Sequence, residues 1–389
     1  MTPHDPIPAP TRRRWPRVVL AVAAILIVVV LVANRINLNY YVLAPGDAQP
    51  VAPLITVPPD RAHPVHGQIL LTDVLLSQVT LLDYVPYLLS SDDQVIPSSE
   101  LLGPDTPPDQ LVAQGYLEMA QAQSAAKAAA LRRLDYTVTE HDGGVVVYAV
   151  APTGPSAAAL QVAQTIQSVD GAPTPNECAF VGAMAPLRPG QVVQLGVEQS
   201  TVNANAVIVP GKTVDKSVTL ATRPKGTGGA TGCPGVPRLS SGYLGVEVQT
   251  QQNFTYPFPV VVHTQDIGGP SAGLAMTLGI IDKLTVGQLT GGLTVAATGT
   301  MDDLGNVGDV GGVAQKTVAV ENAGATVFLV PPQEYRVALS KATPSLHVYG
   351  VSTLDQALAD LAKLGGHVPP AASATTTAPA TTVPGSSSG

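Results

Sequence analysis

The chain has 389 residues, 45% of them hydrophobic and 12% charged, which is enough for two or three domains with packed cores. The first 35 residues hold five of its 20 Lys+Arg and one of its 28 Asp+Glu, so the remainder carries 15 basic against 27 acidic residues, a net −12. That acidity argues against a nucleic-acid binder held by phosphate contacts.

Arg12, Arg13, Arg14 and Arg17 precede Val18 to Ala33, sixteen uninterrupted apolar residues. With the flanks Trp15 and Ile36 the run approaches spanning length. It predicts a cytoplasmic basic segment over residues 1–17, a single transmembrane anchor over 18–35, and everything after Asn34 on the far side of the cell membrane. A cleavable signal peptide is the alternative, but the run is long and no A-x-A site follows it.

Residues 36–114 are Pro-punctuated and read as a β-rich juxtamembrane region, with a strand-like Gln68-Ile-Leu-Leu-Thr72. A helix is expected over about 117–134, where Ala, Gln, Lys and Arg dominate. Four following segments carry a pattern: Gly144-Val-Val-Val-Tyr-Ala-Val150, Ala151-Pro-Thr-Gly-Pro-Ser-Ala-Ala158, Thr165-Ile-Gln-Ser-Val-Asp-Gly171, and Leu187 to Val197. In that order they resemble the strand, helix, strand-turn and final strand of PDZ domains attached to exported proteases. The resemblance spans residues 115–205. It implies a β-rich domain that takes an extended peptide beside its own sheet. The carboxylate-binding loop, expected near residues 134–138, carries no glycine, and a purely structural domain is the alternative reading.

Residues 206–240 read as a linker. Cys178 and Cys233 are the only cysteines, and in an exported chain two thiols point to one disulfide rather than a metal site. Two reduced thiols are the alternative, decided by whether their Cα atoms come close enough.

Two later segments each stand where a helix should begin: Gly268-Gly-Pro-Ser-Ala-Gly273 and Gly311-Gly-Val-Ala-Gln-Lys316. Apolar residues at 274, 275, 278 and 281 define one helix face, with Ser271 in its first turn. Unpaired N–H groups at such a turn, around Gly269, Pro270 and Ala272, can hold an oxyanion. Serine needs a neighbour to take its proton, and lysine can do so only when burial or a positive neighbour lowers its pKa. Lys316 opens a segment with Val313, Val318 and Val320 that Gly324 closes. Taken singly, Ser271 reads as a helix cap and Lys316 as a solvated helix residue.

GGPSAG, then Thr298-Gly-Thr300, then the run GNVGDVGGVAQK ending at Lys316, together resemble the proteolytic domain of Lon-type serine proteases over residues 241–365. The resemblance implies a Ser271 nucleophile, Lys316 as its general base, and Thr298 orienting the lysine. It departs at Thr300, where the family often has Glu. It also implies subunits that assemble into a ring. Residues 242–246 imitate a PDZ carboxylate loop but fall inside this segment, where residues 243–250 are expected as an opening strand paired with residues 259–263.

Gly269 to Gly273 also satisfies G-x-S-x-G, so an α/β-hydrolase-like esterase is a competing reading. It needs a downstream histidine, and only His347 and His367 follow, neither in a triad-like loop. His263 and Asp266, upstream, read as structural. A PDZ adaptor with a latent protease domain is the other alternative. Gly211-Lys-Thr213 lacks the earlier glycine of a P-loop, so no ATP is expected; no HExxH or Cys/His ligand set occurs, so neither metal nor cofactor is expected.

The expected architecture is α/β and α+β multidomain: an N-terminal transmembrane helix, a PDZ-like β-rich domain, a C-terminal Lon-protease-like α/β domain, and a disordered Pro/Ala/Thr/Ser tail over 366–389. The expected activity is ATP-independent hydrolysis of extracytoplasmic protein or peptide substrates.

Overall fold

The computed structural model describes residues 15–101, 107–227, 231–236, 238–264 and 266–370; the basic residues 12–14 and most of the expected tail lie outside them. The chain divides into two compact units, Met1–Pro45 with Val74–Gly103, and Gly46–Asp73 with Pro104–Gly389.

In the first unit a helix, α1 (Trp15–Ala33), leads into strand β1 (Asn37–Pro50). It also holds the second half of β2 (Gln68–Thr80), the short β3 (Gln94–Pro97) and helical turns over Tyr84–Leu89 and Ser98–Leu101. β3 pairs antiparallel with β1, Tyr40 opposite Pro97 and Leu43 opposite Gln94. The membrane-spanning expectation is corrected here: among the described residues no helix is long and apolar enough to cross a membrane. Pro16 and Arg17 occupy the first turn of α1, and the apolar run 18–33 that follows rises about 24 Å against a hydrocarbon core of about 30 Å.

Two large sheets, beside several two-stranded ones, organise the described residues of the second unit. One is parallel and is built by the first half of β2, β9 (Thr294–Ala297), β10 (Val327–Val330) and β11 (His347–Gly350), with β9 between β2 and β10. Its register sets Leu71 beside Ala297 and Leu329 beside Ala297 and Tyr349. Val327 to Val330 are buried at every position, as a strand covered on both faces requires. Alternation splits the two faces: Leu71, Val295, Ala297 and Leu329 join one core, and Leu70, Ala296, Phe328 and Val330 another. The first core is shared with α2 (Pro108–Arg133), α4 (Gly273–Leu284) and α7 (Leu354–Lys363), the second with α5 (Val313–Asn322) and α6 (Tyr335–Lys341). Residues read as juxtamembrane thus supply a strand of this sheet, and α2 packs on α4.

The other sheet is antiparallel, in the order β7 (Thr213–Thr219), β6 (Val192–Glu198), β5 (Thr165–Val169), β4 (Thr139–Val150), β8 (Val246–Thr255). Its core includes Val145, Ile166, Leu195 and Val218, together with Phe180, Val181 and Met184 of α3 (Glu177–Met184). β8 corrects a second expectation. Its residues pair with β4, from Val246 opposite Val150 to Thr255 opposite Thr139, and not with residues 259–263. Val261–Val262 pair instead with Ile55–Thr56. Pro257 and Pro259 lie between the two runs and withhold the N–H groups a hairpin needs. Cys178 of α3 and Cys233 are joined by a disulfide, with Cα atoms 5.3 Å apart.

Candidate active site

Ser271 sits in a 3₁₀ turn, Pro270–Ala272, that runs directly into α4. The turn begins at Gly269, whose φ of 84° only glycine adopts without strain. The N–H groups around Ser271 divide clearly. Gly269 donates to the Gly115 carbonyl of α2 at 2.7 Å, and Leu274 donates to Gly299 at 3.1 Å. Gly273 bonds back to Pro270, and Pro270 itself has no N–H. Of the donors expected across Gly269, Pro270 and Ala272, Gly269 is thus committed to Gly115 and Pro270 has none, which leaves the N–H groups of the turn itself, Ser271 first among them.

Lys316 lies in the first turn of α5, which Gly312 opens. The side chain is 2% exposed, and burial pushes its pKa down to about 8, against the raising influence of the Asp73 and Glu334 carboxylates. Its Nζ donates to Thr298 Oγ1 at 3.3 Å, and Thr298 Oγ1 donates to the Ser271 carbonyl at 3.2 Å. The same carbonyl accepts the Gly299 N–H at 2.9 Å. Thr298 is fully buried just past β9, where its own N–H donates to Leu329 at 3.0 Å. Lysine, threonine and serine turn are therefore connected through one hydroxyl. The Ser271 hydroxyl makes no bond to Lys316 Nζ among the described hydrogen bonds.

The histidines stand apart. His263 is exposed, with its N–H on Leu54, while the Asp266 N–H donates to Ala204. His347 and His367 are also exposed. No histidine contacts Ser271 among the described hydrogen bonds.

A second feature lies at the edge of the antiparallel sheet. A 210 Å³ groove separates α3 from the start of β8, lined by Phe180, Val181, Met184 and the segment Tyr243 to Val248. Gly245 has a φ of 80°, and the Leu244 and Gly245 N–H groups have no partner among the described hydrogen bonds. Residues 242–246, read above as an imitation within the Lon-like segment, thus form the loop ahead of the edge strand. The segment 134–138 does not.

Residues 258–361 match the family profile of the Lon protease (S16) C-terminal proteolytic domain. Over that stretch the chain is similar to Lon-type proteolytic domains. The chain is 28% identical over 125 residues to the Lon protease of Koribacter versatilis (strain Ellin345), covering 31% of this chain and 15% of that protein. It is 42% identical over 65 residues to the Lon protease of Clostridioides difficile (strain 630), covering 17% and 8%. It therefore spans only a small part of these curated relatives. Among solved structures, similar chains include the PDZ domain of an SdrC-like protein from Listeria monocytogenes (TM-score 0.20, 16% identity, 27% of this chain and 86% of that one). Another is its counterpart from Listeria innocua (TM-score 0.18, 22% identity, 25% and 91%).

Sequence reasoning missed two neighbours of the Ser271–Lys316 site. Asp73 receives the Asp47 N–H at 2.8 Å; burial raises its pKa, and the Lys316 charge acts in the opposite direction. Thr72 follows Leu71, the partner of Ala297, and so lies beside Thr298; its buried hydroxyl has no partner among the described residues. Both come from a strand more than 200 residues upstream, and no local signal links them to Lys316.

Proposed function

We propose that this chain is an ATP-independent serine endopeptidase in which Ser271 is the nucleophile and Lys316 its general base. The carrying observation is a buried lysine, with its pKa lowered to about 8, tied through Thr298 to the serine turn. Neutral Lys316 takes the Ser271 proton as Oγ attacks the peptide carbonyl, and N–H groups of the Ser271 turn receive the developing oxyanion. The protonated lysine returns its proton to the leaving amine. Water, deprotonated by the same lysine, then cleaves the acyl-enzyme. The groove between α3 and β8 receives an extended peptide that adds to the β8 edge, with the Leu244 and Gly245 N–H groups facing its terminal carboxylate. The Cys178–Cys233 disulfide supports a place of action outside the reducing cytoplasm.

The test is incubation of the full chain with a reduced, unfolded protein in the absence of ATP. Internal cleavage that disappears in Ser271→Ala is expected. Cleavage that survives in Ser271→Ala, or none by the wild type, overturns the reading.

A further inference from the structure

β8 is the last strand of its sheet and pairs on one side only, with β4, so the main-chain groups of its other edge are unpaired in that sheet. One end of this edge forms the groove against α3. The Arg223 guanidinium lies there, 5.4 Å from the Tyr243 ring, held by an Nε bond to the Ser240 carbonyl at 2.7 Å. The arginine and the free Leu244 and Gly245 N–H groups make that end complementary to a carboxylate.

The other end borders a second cavity, of 410 Å³, between β8 and α2. Gln249, Gln252 and Phe254 line it from β8, and Pro270 and Met301 close it beside Ser271. Gln249 and Gln252 have opposite parity along the strand, so the cavity runs along its edge rather than one face. Thr250, which lines the same cavity, accepts the Glu177 N–H on its hydroxyl at 3.0 Å, so α3 is held by a side chain of β8 and not by its main-chain edge.

We propose that β8 is a measuring track: an unstructured C-terminal tail of a substrate protein docks its carboxylate at Arg223 and the 244–245 loop, pairs antiparallel along the edge, and delivers to Ser271 a bond at a fixed distance from its end. β8 has ten residues, about 34 Å at 3.4 Å per residue, and an antiparallel partner keeps the same rise. The cut therefore falls about ten residues from the C-terminus. This inference rests on the peptidase reading above.

The experiment uses the full chain and a set of unstructured 30-residue peptides of one sequence, shortened from the C-terminus two residues at a time, with cleavage sites mapped by mass spectrometry. The cut is expected to move with the end, keeping a constant distance of about ten residues. Amidation of the C-terminus is expected to lower kcat/KM about tenfold, mainly through KM, and Arg223→Ala to remove the difference between acid and amide. Cuts that stay at fixed sequence positions whatever the length overturn the track while leaving the peptidase intact. In Ser271→Ala, a photo-crosslinker placed ten residues from the free carboxylate is expected to label residues 268–272 or 301–302. That readout holds even where no peptide is hydrolysed, and labelling elsewhere overturns the track.

Discussion

The Lys316 ammonium nitrogen stands 3.3 Å from Thr298 Oγ1, and this one hydroxyl also holds the main-chain carbonyl of Ser271. The relationship follows from the strand. Thr298 continues the parity of Ala296, whose face packs on α5, so its side chain meets the helix that carries Lys316 while its hydroxyl reaches the serine turn. Lysine desolvation and serine position therefore share a support.

Thr298→Val removes both bonds and leaves a buried amine without its acceptor. It is expected to lower kcat/KM about 10- to 100-fold with little change in KM, whereas Thr298→Ser keeps most of the rate. Steady-state kinetics on one peptide, with all three proteins shown folded by circular dichroism, checks this.

The Asp73 carboxylate raises the pKa of Lys316 by its charge, so Asp73→Asn removes an influence that favours the ammonium. The rising limb of the pH–rate profile is expected to move to lower pH than in the wild type. A limb that stays in place or moves up rejects the coupling.

That Ser271 and Lys316 each stand at a helix start was legible from local glycine and apolar periodicity, while their pairing rested on the resemblance alone. The strand that completes their sheet was not, since Gln68 pairs with Thr294 across more than 200 residues and a buried parallel strand leaves no mark of its partner. β8 was placed in the wrong sheet for a related reason. Alternation along Val246 to Thr255 fixes which residues share a face but not which neighbour they pair with, and only the long register with β4 decides it. The apolar run of α1 announced a helix but overstated its reach.

Asp282 of α4 is 2% exposed, and burial pushes its pKa up to about 6 despite the Leu289 N–H it accepts at 3.2 Å and the nearby His66. A folded-state pKa above the unfolded value means the fold binds the extra proton, so stability is highest below about pH 4 on this account and declines as pH rises through 6. Asp282→Asn is expected to be more stable than wild type at pH 7 by about 1–3 kcal/mol, with the gain vanishing near pH 4. Urea unfolding at both pH values measures it.

The disulfide closes a loop with a sequence separation of 55. Replacing both Cys178 and Cys233 by Ser is expected to cost about 2–4 kcal/mol. Since Cys178 lies on α3, the double variant is also expected to weaken binding of carboxylate-ended peptides, which fluorescence anisotropy would detect.

The most direct measurement is kcat/KM for an unfolded protein substrate between pH 6 and 10, for the wild type and Lys316→Ala. A neutral lysine base predicts activity that rises with pH, half-maximal near 8, and a loss of at least about 1,000-fold in the variant. A midpoint near 6.5, the range of histidine, or wild-type rates in Lys316→Ala would contradict it.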